Sequence, residues 1–159
     1  MRQDTLVFLL KDNSEEILLA MKKRGFGVGK LNGVGGKVGK EETIEAAAVR
    51  EANEEIGVVI QEKDLIKTGE LTFHFTNKPD WDIHCHVFFV REWTGEPAES
   101  EEMVPEWFDQ SEIPFEKMWI DDKYWLPIAL GGDYVVAEFF FNEDGSALVR
   151  YTINGVQSS

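Results

Sequence analysis

The chain has 159 residues, is 43% apolar and 12% aromatic, and carries a formal net charge of −14. Its length fits one domain with a sizeable core, and its apolar content is that of a globular chain and not of a disordered one. Such an acidic chain lacks the basic surface that proteins use to bind long nucleic acids and anionic membranes. We therefore expect a single domain over residues 1–159 that binds neither.

The chain contains one cysteine, Cys85, so it cannot form an internal disulfide. A lone thiol is typical of a reducing compartment. The N-terminal segment lacks the apolar core and cleavage site of a signal peptide, and no apolar run reaches the length of a membrane span. We therefore expect a cytoplasmic protein, and we expect it to be a monomer.

The first forty residues predict two strands followed by a glycine-rich loop. Residues 5–10 and 16–21 are apolar runs on either side of turn residues 12–14, which predicts a β-hairpin. Seven glycines between residues 25 and 39 predict a backbone that can approach a ligand closely, although their spacing matches neither the P-loop nor the dinucleotide-binding fingerprint. Five basic side chains of this stretch could receive a small polyanion such as a triphosphate, or could simply be solvated: Lys22, Lys23, Arg24, Lys30 and Lys37.

A helix is predicted over residues 44–56. Thr43 has the side chain of an N-cap, and Gly57 is typical of the residue just past a helix C-terminus. Because each helical residue advances by about 100°, Glu51 and Glu55 fall within about 20° of Ile44, which belongs to the apolar stripe of this helix. We therefore expect both side chains to point toward the protein interior.

Three carboxylates of this helix, Glu51, Glu54 and Glu55, stand at positions i, i+3 and i+4, which share one helix face. Their mutual repulsion makes a cation the natural partner, and Mg²⁺ prefers oxygen ligands. The alternative is a solvated acidic face, which the overlap with the apolar edge disfavours. Arg50 is placed to bridge Glu54 one turn further on.

The rest of the chain predicts a sheet-rich α+β sandwich. Phe73 and Phe75 alternate with polar neighbours, which indicates a half-buried strand. A short helix is expected at residues 121–130, although Pro127 lies inside it. Strands are expected at residues 66–76, 83–92 and 104–108, and a closing hairpin at 134–141 and 147–153.

Residues 36–58 resemble the Nudix box, which reads Gly, five residues, Glu, seven residues, then Arg-Glu-apolar-x-Glu-Glu-x-Gly-apolar. Every specified position is matched here, by Gly36, Glu42, Arg50, Glu51, Ala52, Glu54, Glu55, Gly57 and Val58. The resemblance implies the Nudix fold, an α+β fold in which a mixed β-sheet is sandwiched between α-helices. It also implies a hydrolase that uses Mg²⁺, or Mn²⁺, to cleave nucleoside diphosphates linked to another moiety.

The same resemblance implies roles for the box residues. Arg50 would orient a glutamate, and Glu42 would anchor the loop or its helix. The implied metal ligands are Glu51, Glu54 and Glu55 together with the backbone carbonyl of Gly36.

Sequences flanking the box resemble the MutT-like branch of this family, in particular its animal members. They are MKKRGFGVGKLNGVGGKV, PAESEEM and IPFEKMWIDDKYW. This resemblance implies hydrolysis of oxidised purine nucleoside triphosphates, such as 8-oxo-dGTP and 2-hydroxy-dATP, to the monophosphate and pyrophosphate, which would remove damaged nucleotides from the precursor pool.

The branch resemblance also assigns side chains to the substrate. Asn32 would bond the base, Asp121 and Asp122 would face its Watson–Crick edge, and Trp119 would stack on its ring. Further pocket or substrate contacts would come from Phe73, Met103, Phe26, Lys22 and Thr5, while Glu102 would assist the metal or the attacking water.

The aspartate pair suits this role chemically. Two adjacent carboxyls in an apolar pocket cannot both ionise cheaply, so one is expected to keep its proton and donate a hydrogen bond. The alternative is that Asp121 and Asp122 cap the N-terminus of the following helix. The sequence departs from the branch at Leu31, where the relatives have tryptophan, and at Ile120, where they have proline, so the base preference stays open.

Other functions also stay open. A Nudix enzyme for another substrate, such as a dinucleoside polyphosphate, would share the chemistry, whereas a non-catalytic nucleotide-binding module would be expected to lose box glutamates, and all are present here. His84 and His86, on either side of Cys85, share one face of a predicted strand and suggest zinc, but the sequence shows no further ligand.

Overall fold

A computed structural model describes residues 1–12 and 14–158. The described residues form a six-stranded mixed sheet in the order β1-β5-β4-β7-β8-β9 and a three-stranded antiparallel sheet in the order β3-β2-β6. The elements are β1 (Arg2–Leu9), β2 (Glu16–Lys22), β3 (Leu31–Asn32), α1 (Ile44–Ile56), β4 (Leu65–Phe75), β5 (Ile83–Val90), β6 (Met103–Asp109), α2 (Asp122–Leu130), β7 (Val135–Phe141), β8 (Leu148–Ile153) and β9 (Val156–Gln157).

The large sheet separates two apolar cores, because alternate residues of its strands point to opposite faces. On one face Val7 packs in a cluster with Ala52 and Ile56 of α1. On the other face Phe8 packs against Trp125 of α2, with ring centroids 6.1 Å apart. The two helices therefore cover opposite faces of the sheet, and the predicted α+β sandwich is confirmed.

The helix α1 begins and ends where its capping residues predict. The Thr43 hydroxyl accepts a hydrogen bond from the Ala46 N–H at 3.0 Å. Gly57 follows the last turn in the left-handed conformation, with φ of 77°, and its N–H donates to the Asn53 carbonyl at 2.9 Å. This geometry fixes which side of the helix faces the sheet, and hence where its glutamates point.

The predicted β1–β2 hairpin is wrong, although both strands exist. β1 lies in the large sheet and pairs in parallel with β5, whereas β2 lies in the small sheet between β3 and β6. Between Leu10, just after β1, and Ile17 of β2 the described residues form an isolated antiparallel bridge. The reason is that both strands bury both faces, so each forms its ladder with distant strands; Asn13 of the predicted turn lies outside the described residues.

The later predictions agree better with the structure. β4 and β5 pair antiparallel, and β7 and β8 form the predicted closing hairpin. The short strands β3 and β9 were not predicted. Of the residues that the structure describes, none form a helix long and apolar enough to cross a membrane.

Candidate active site

The three box glutamates of α1 divide between two environments. Glu55 is buried, with 8% of its surface exposed, and the Glu51 side chain is 15% exposed. The Glu54 side chain is 57% exposed and lies at the rim. The prediction that Glu51 and Glu55 point inward is therefore confirmed, while the Glu54 carboxylate lies on the solvent side and accepts a hydrogen bond from Arg50.

The glycine-rich loop lies directly against these carboxylates. A Cβ atom added at Gly36 would be 2.8 Å from Glu51 Oε1, and one added at Gly35 would run into the Thr5 carbonyl. The Gly36 carbonyl accepts a hydrogen bond from the Thr5 N–H at 2.9 Å, which ties the loop to β1. Glycine is therefore required at position 35, where a side chain would meet backbone, whereas a side chain at position 36 would displace the Glu51 carboxylate.

Glu55 is a buried carboxylate whose surroundings would favour a bound cation. Burial first, and then the adjacent charge and hydrogen bond of Glu51, raise its pKa to about 8, although the Gly35 N–H and Lys22 partly oppose this shift. Within residues 1–12 and 14–158, no group hydrogen-bonds to Glu55 Oε2, although this atom is buried. A buried carboxylate oxygen without a partner, beside a second carboxylate, fits a divalent metal ion.

Arg50 connects the helix to the loop through a chain of carboxylates. Its guanidinium donates two hydrogen bonds to Glu42, at 2.7 and 2.9 Å, and one each to Glu51 at 3.0 Å and Glu54 at 3.2 Å. Glu42 also accepts the Gly39 N–H at 2.9 Å. Arg50 first, and then Gly39, lower the pKa of Glu42 to about 2, so the pair is ionised and holds Glu51 in position.

A cavity of about 310 Å³ extends from Gly36 into the interior. The walls combine backbone, aromatic rings and a few polar side chains, which is typical of a small-molecule site. All nine side chains that the sequence assigns to the substrate lie in its wall: Asn32, Asp121, Asp122, Trp119, Phe73, Met103, Phe26, Lys22 and Thr5.

The aspartate pair is almost completely buried in this wall. Asp121 accepts a hydrogen bond from the Trp125 indole N–H at 2.9 Å, and Asp122 accepts one from the Trp119 backbone N–H at 3.1 Å. Burial raises the pKa of Asp121 to about 6, and burial together with the charge of Asp121 raises the pKa of Asp122 well above its usual value. Asp121 makes no side-chain capping bond to α2, so the capping alternative is wrong for this residue.

Aromatic rings close one side of the cavity. Phe26 stacks on Trp119 with ring centroids 5.2 Å apart and an angle of 29° between the planes. The Lys30 ammonium lies 5.2 Å from the centre of the Trp119 ring. Phe26 is 71% exposed, so it can leave the Trp119 ring without disturbing the core.

The basic stretch does not act as one unit. Lys22 and Lys30 line the cavity, whereas Lys23 and Arg24 pair with the acidic loop before β6. Arg24 holds the Glu102 carboxylate at 2.7 Å. Glu102 is therefore bound to an arginine at the surface, and the structure does not place it among the residues that line the cavity.

Among the cavity-wall residues that sequence reasoning missed, three have ionisable side chains: Arg2, Asp4 and Cys85. Asp4 lies there with its carboxylate bonded to Arg2 by two hydrogen bonds, at 2.7 and 3.1 Å. Cys85 pairs with Asp4 in the β1–β5 register and is buried in the same wall, and burial raises the pKa of its thiol. The alternation of β1 places Arg2 and Asp4 on the face of Leu6, but only the pairing with β5 brings Cys85 beside them.

The fold, the glutamate-bearing helix and the adjoining cavity define the class of the protein. The NUDIX domain model matches residues 1–128, and the chain belongs to the Nudix family of hydrolases. Members of this family generally use a divalent metal ion.

Two animal relatives match almost the whole chain. It is 42% identical over 154 residues to the oxidized purine nucleoside triphosphate hydrolase of Mus musculus, covering 97% of this chain and 95% of that protein. The protein of the same name from Danio rerio is 42% identical over 153 residues, covering 96% and 94%.

Bacterial MutT proteins are more distant. The 8-oxo-dGTP diphosphatase of Escherichia coli is 32% identical over 102 residues, which cover 64% of this chain and 75% of that protein. The crystal structure of a MutT protein from Bacillus halodurans superposes with a TM-score of 0.83 over 97% of this chain and 98% of that chain. At 22% identity this likeness shows the fold alone.

Proposed function

We propose that this Nudix hydrolase cleaves oxidised purine nucleoside triphosphates, such as 8-oxo-dGTP and 2-hydroxy-dATP, to the nucleoside monophosphate and pyrophosphate. The observation that carries the proposal is the buried pair Asp121 and Asp122, in the wall of the cavity that ends at Gly36 beside the box glutamates. The names of the mouse and zebrafish relatives support the same substrate class.

The purine would be read by hydrogen bonds inside the cavity. Burial and the adjacent charge favour a protonated Asp122, which then donates while ionised Asp121 accepts. Asn32 Oδ1 accepts the Gly33 N–H at 2.8 Å, which leaves its NH₂ group as a donor. A wall with both donors and acceptors fits purines whose oxidation has changed the pattern along their edge.

The metal ion proposed is Mg²⁺, with Mn²⁺ as a substitute, held by Glu51 and Glu55 with the Gly36 carbonyl and Glu54 beside them. When bound, it would neutralise phosphate oxygens and activate water. Arg50 holds Glu51 and Glu54 in their orientations. Either Glu54 or Glu102 would assist deprotonation of the attacking water, since both are exposed carboxylates held by an arginine.

Lys22 and Phe26 would complete the substrate site from the glycine-rich loop. Lys22 lies in the cavity wall and its charge lowers the pKa of Glu55, so its ammonium would meet a phosphate group bound beside the glutamates. Phe26 and Trp119 offer stacked rings at the entrance, while Phe73, Met103 and Thr5 shape the interior.

The proposal extends to a monomer that works in the cytoplasm as one domain over residues 1–159. A free buried Cys85 supports a reducing compartment. The first and last described strands, β1 and β9, belong to the same sheet, which supports a single domain.

Pyrophosphate release from a panel of nucleotides tests this function. Purified protein is assayed with 8-oxo-dGTP, 2-hydroxy-dATP, dGTP, dATP and a dinucleoside polyphosphate, each with Mg²⁺ and with EDTA. We expect Mg²⁺-dependent release, with kcat/KM for the oxidised purines at least about tenfold above that for the normal ones. Preference for another nucleotide would overturn the substrate assignment, and release from none would leave a binding module.

A further inference from the structure

A second cluster of metal-ligating side chains lies on the sheet face opposite the cavity. His84 and His86 of β5 share this face, whereas Cys85 between them faces the cavity. Glu70 of β4 lies opposite His86 in the antiparallel register. One ligand atom from each of Glu70, His84 and His86 lies within 4.8 Å of the other two, and none of the three belongs to the Nudix box.

Neighbouring groups orient the carboxylate and the first imidazole. Glu70 Oε1 lies 2.9 Å from His84 Nε2, while the Tyr134 hydroxyl donates to Glu70 Oε2 at 3.0 Å. The other ring nitrogen, His84 Nδ1, is bonded to the Thr72 hydroxyl at 3.1 Å. Metal-binding histidines and carboxylates are commonly held by such outer hydrogen bonds.

The second imidazole has a defined tautomer. His86 Nε2 lies 2.8 Å from the Gln3 side-chain oxygen, which can only accept, so Nε2 carries the hydrogen and Nδ1 presents its lone pair. His86 is buried, and burial first and the charge of Lys67 second lower its pKa to about 4. The ring is therefore neutral near pH 7, which is the form that binds metals.

A positive charge already lies against these atoms. The Lys67 ammonium is 2.9 Å from His86 Nδ1 and 3.9 Å from Glu70 Oε1. The lysine side chain is 35% exposed, so it can move into solvent and leave the same atoms to another cation. The cluster thus already holds one cation, the Lys67 ammonium, which would compete with a metal ion for the same atoms.

We infer that Glu70, His84 and His86 form a second metal site, for a transition-metal ion such as Zn²⁺ that exchanges with the Lys67 ammonium. Two imidazoles and one carboxylate with an open fourth position suit Zn²⁺ and disfavour Mg²⁺, which takes oxygen ligands. Ligand bonds of about 2.1 Å place three tetrahedral ligand atoms about 3.4 Å from one another, so Glu70 Oε1 and His84 Nε2, now 2.9 Å apart, would separate slightly when an ion replaces the Lys67 ammonium.

Cobalt spectroscopy and zinc calorimetry test the site without relying on activity. The full chain carrying Glu51→Gln and Glu55→Gln, which disables the box, is titrated with Co²⁺ and with Zn²⁺. We expect one ion per chain and the visible absorption of a tetrahedral cobalt centre. No such band and no zinc heat would overturn the inference.

Variants around the cluster separate specific from adventitious binding. His84→Ala should abolish the band, while His74→Ala, which removes the third histidine of the chain, should leave it unchanged. Equal effects of these two substitutions would contradict the site.

Two variants retain all three ligands and keep the test informative if His84→Ala does not fold. Gln3→Leu should weaken zinc binding by about 10- to 100-fold, because it removes the partner that fixes the His86 tautomer. Lys67→Met should tighten zinc binding, because it removes the competing ammonium. Unchanged affinity in both would exclude the proposed exchange.

Discussion

The Trp125 indole N–H donates to the Asp121 carboxylate at 2.9 Å, so the first turn of α2 holds one member of the aspartate pair. The ring of Trp125 is fully buried and packs against Phe8 of the central sheet. The carboxylate that Asp121 presents in the cavity wall is therefore fixed to the apolar core through Trp125. Changes of charge at Asp121 should for that reason appear in the stability of the whole fold.

Asp121→Asn is expected to change how stability depends on pH. Folding raises the pKa of Asp121 from 3.8 to about 6, so the stability linked to its proton is fully present below pH 3.8 and is lost as pH rises through 6. The loss amounts to about 3 kcal/mol. Asparagine does not titrate, and its oxygen can still accept from Trp125.

Urea unfolding at a series of pH values measures this effect. The free energy of unfolding of the wild-type protein, relative to that of Asp121→Asn, should fall between pH 4 and pH 6. Asp133→Asn, at an exposed position, is the control. Its free energy of unfolding should change with pH as that of the wild type does. If the free energy of unfolding of Asp121→Asn changed with pH in the same way as that of the wild type, the raised pKa of Asp121 would be contradicted.

Glu55→Gln is expected to lower turnover by orders of magnitude, about 100-fold or more, while the fold remains intact. Near pH 7 the metal-free Glu55 is already protonated, because its pKa is about 8, and glutamine has the same size without a charge. Pyrophosphate release and urea unfolding measure the two quantities. Glu45→Gln on the exposed first turn of α1 is the matched control, and equal turnover in the two variants would remove Glu55 from the metal site.

Magnesium binding is expected to release a proton. A ligand carboxylate must be ionised, and Glu55 with a pKa of about 8 holds its proton near pH 7 in the metal-free protein. Calorimetry of Mg²⁺ binding in buffers of different ionisation enthalpy should therefore show release approaching one proton per ion, and affinity should increase as pH rises toward 8. A binding heat that is independent of the buffer would contradict this linkage.

Trp119→Ala is expected to raise KM for 8-oxo-dGTP by about 10- to 100-fold, because a base–aromatic stack is worth about 1–3 kcal/mol. Trp119→Phe should recover most of the loss, since it restores a ring at the same place. Steady-state kinetics measure both variants. Trp81→Ala, which removes a half-exposed ring outside the cavity, should have KM values near the wild type; a similar rise there would indicate a general structural effect.

Local signals in the sequence were sufficient for α1 and for the direction in which its glutamates point. The cap residues Thr43 and Gly57 and the helical spacing of Glu51 and Glu55 involve neighbours within one or two turns, and each takes the predicted geometry. The residues that we assign to the substrate were grouped through resemblance and not through spacing. Asn32 and Asp121 are far apart in sequence, and no local rule would bring them together.

Strand pairing between distant segments accounts for what was missed. The sequence around residues 12–14 favours a turn, but the parallel ladder between β1 and β5 decides where β1 lies. The same ladder brings Asp4 beside Cys85, and the β4–β5 ladder brings Glu70 beside His84. Such registers depend on burial of both sheet faces, which alternation within one strand does not reveal.

The position of Cys85 allows its chemical labelling to report whether the cavity is filled. Since the chain has no other thiol, a thiol-specific reagent can label only Cys85 in the cavity wall, and the labelling is slow because this thiol is buried and its pKa is raised. A compound that fills the cavity would slow this labelling, whereas one that binds elsewhere would not. Screening for inhibitors could thus follow one covalent mass shift, with no nucleotide and no tag.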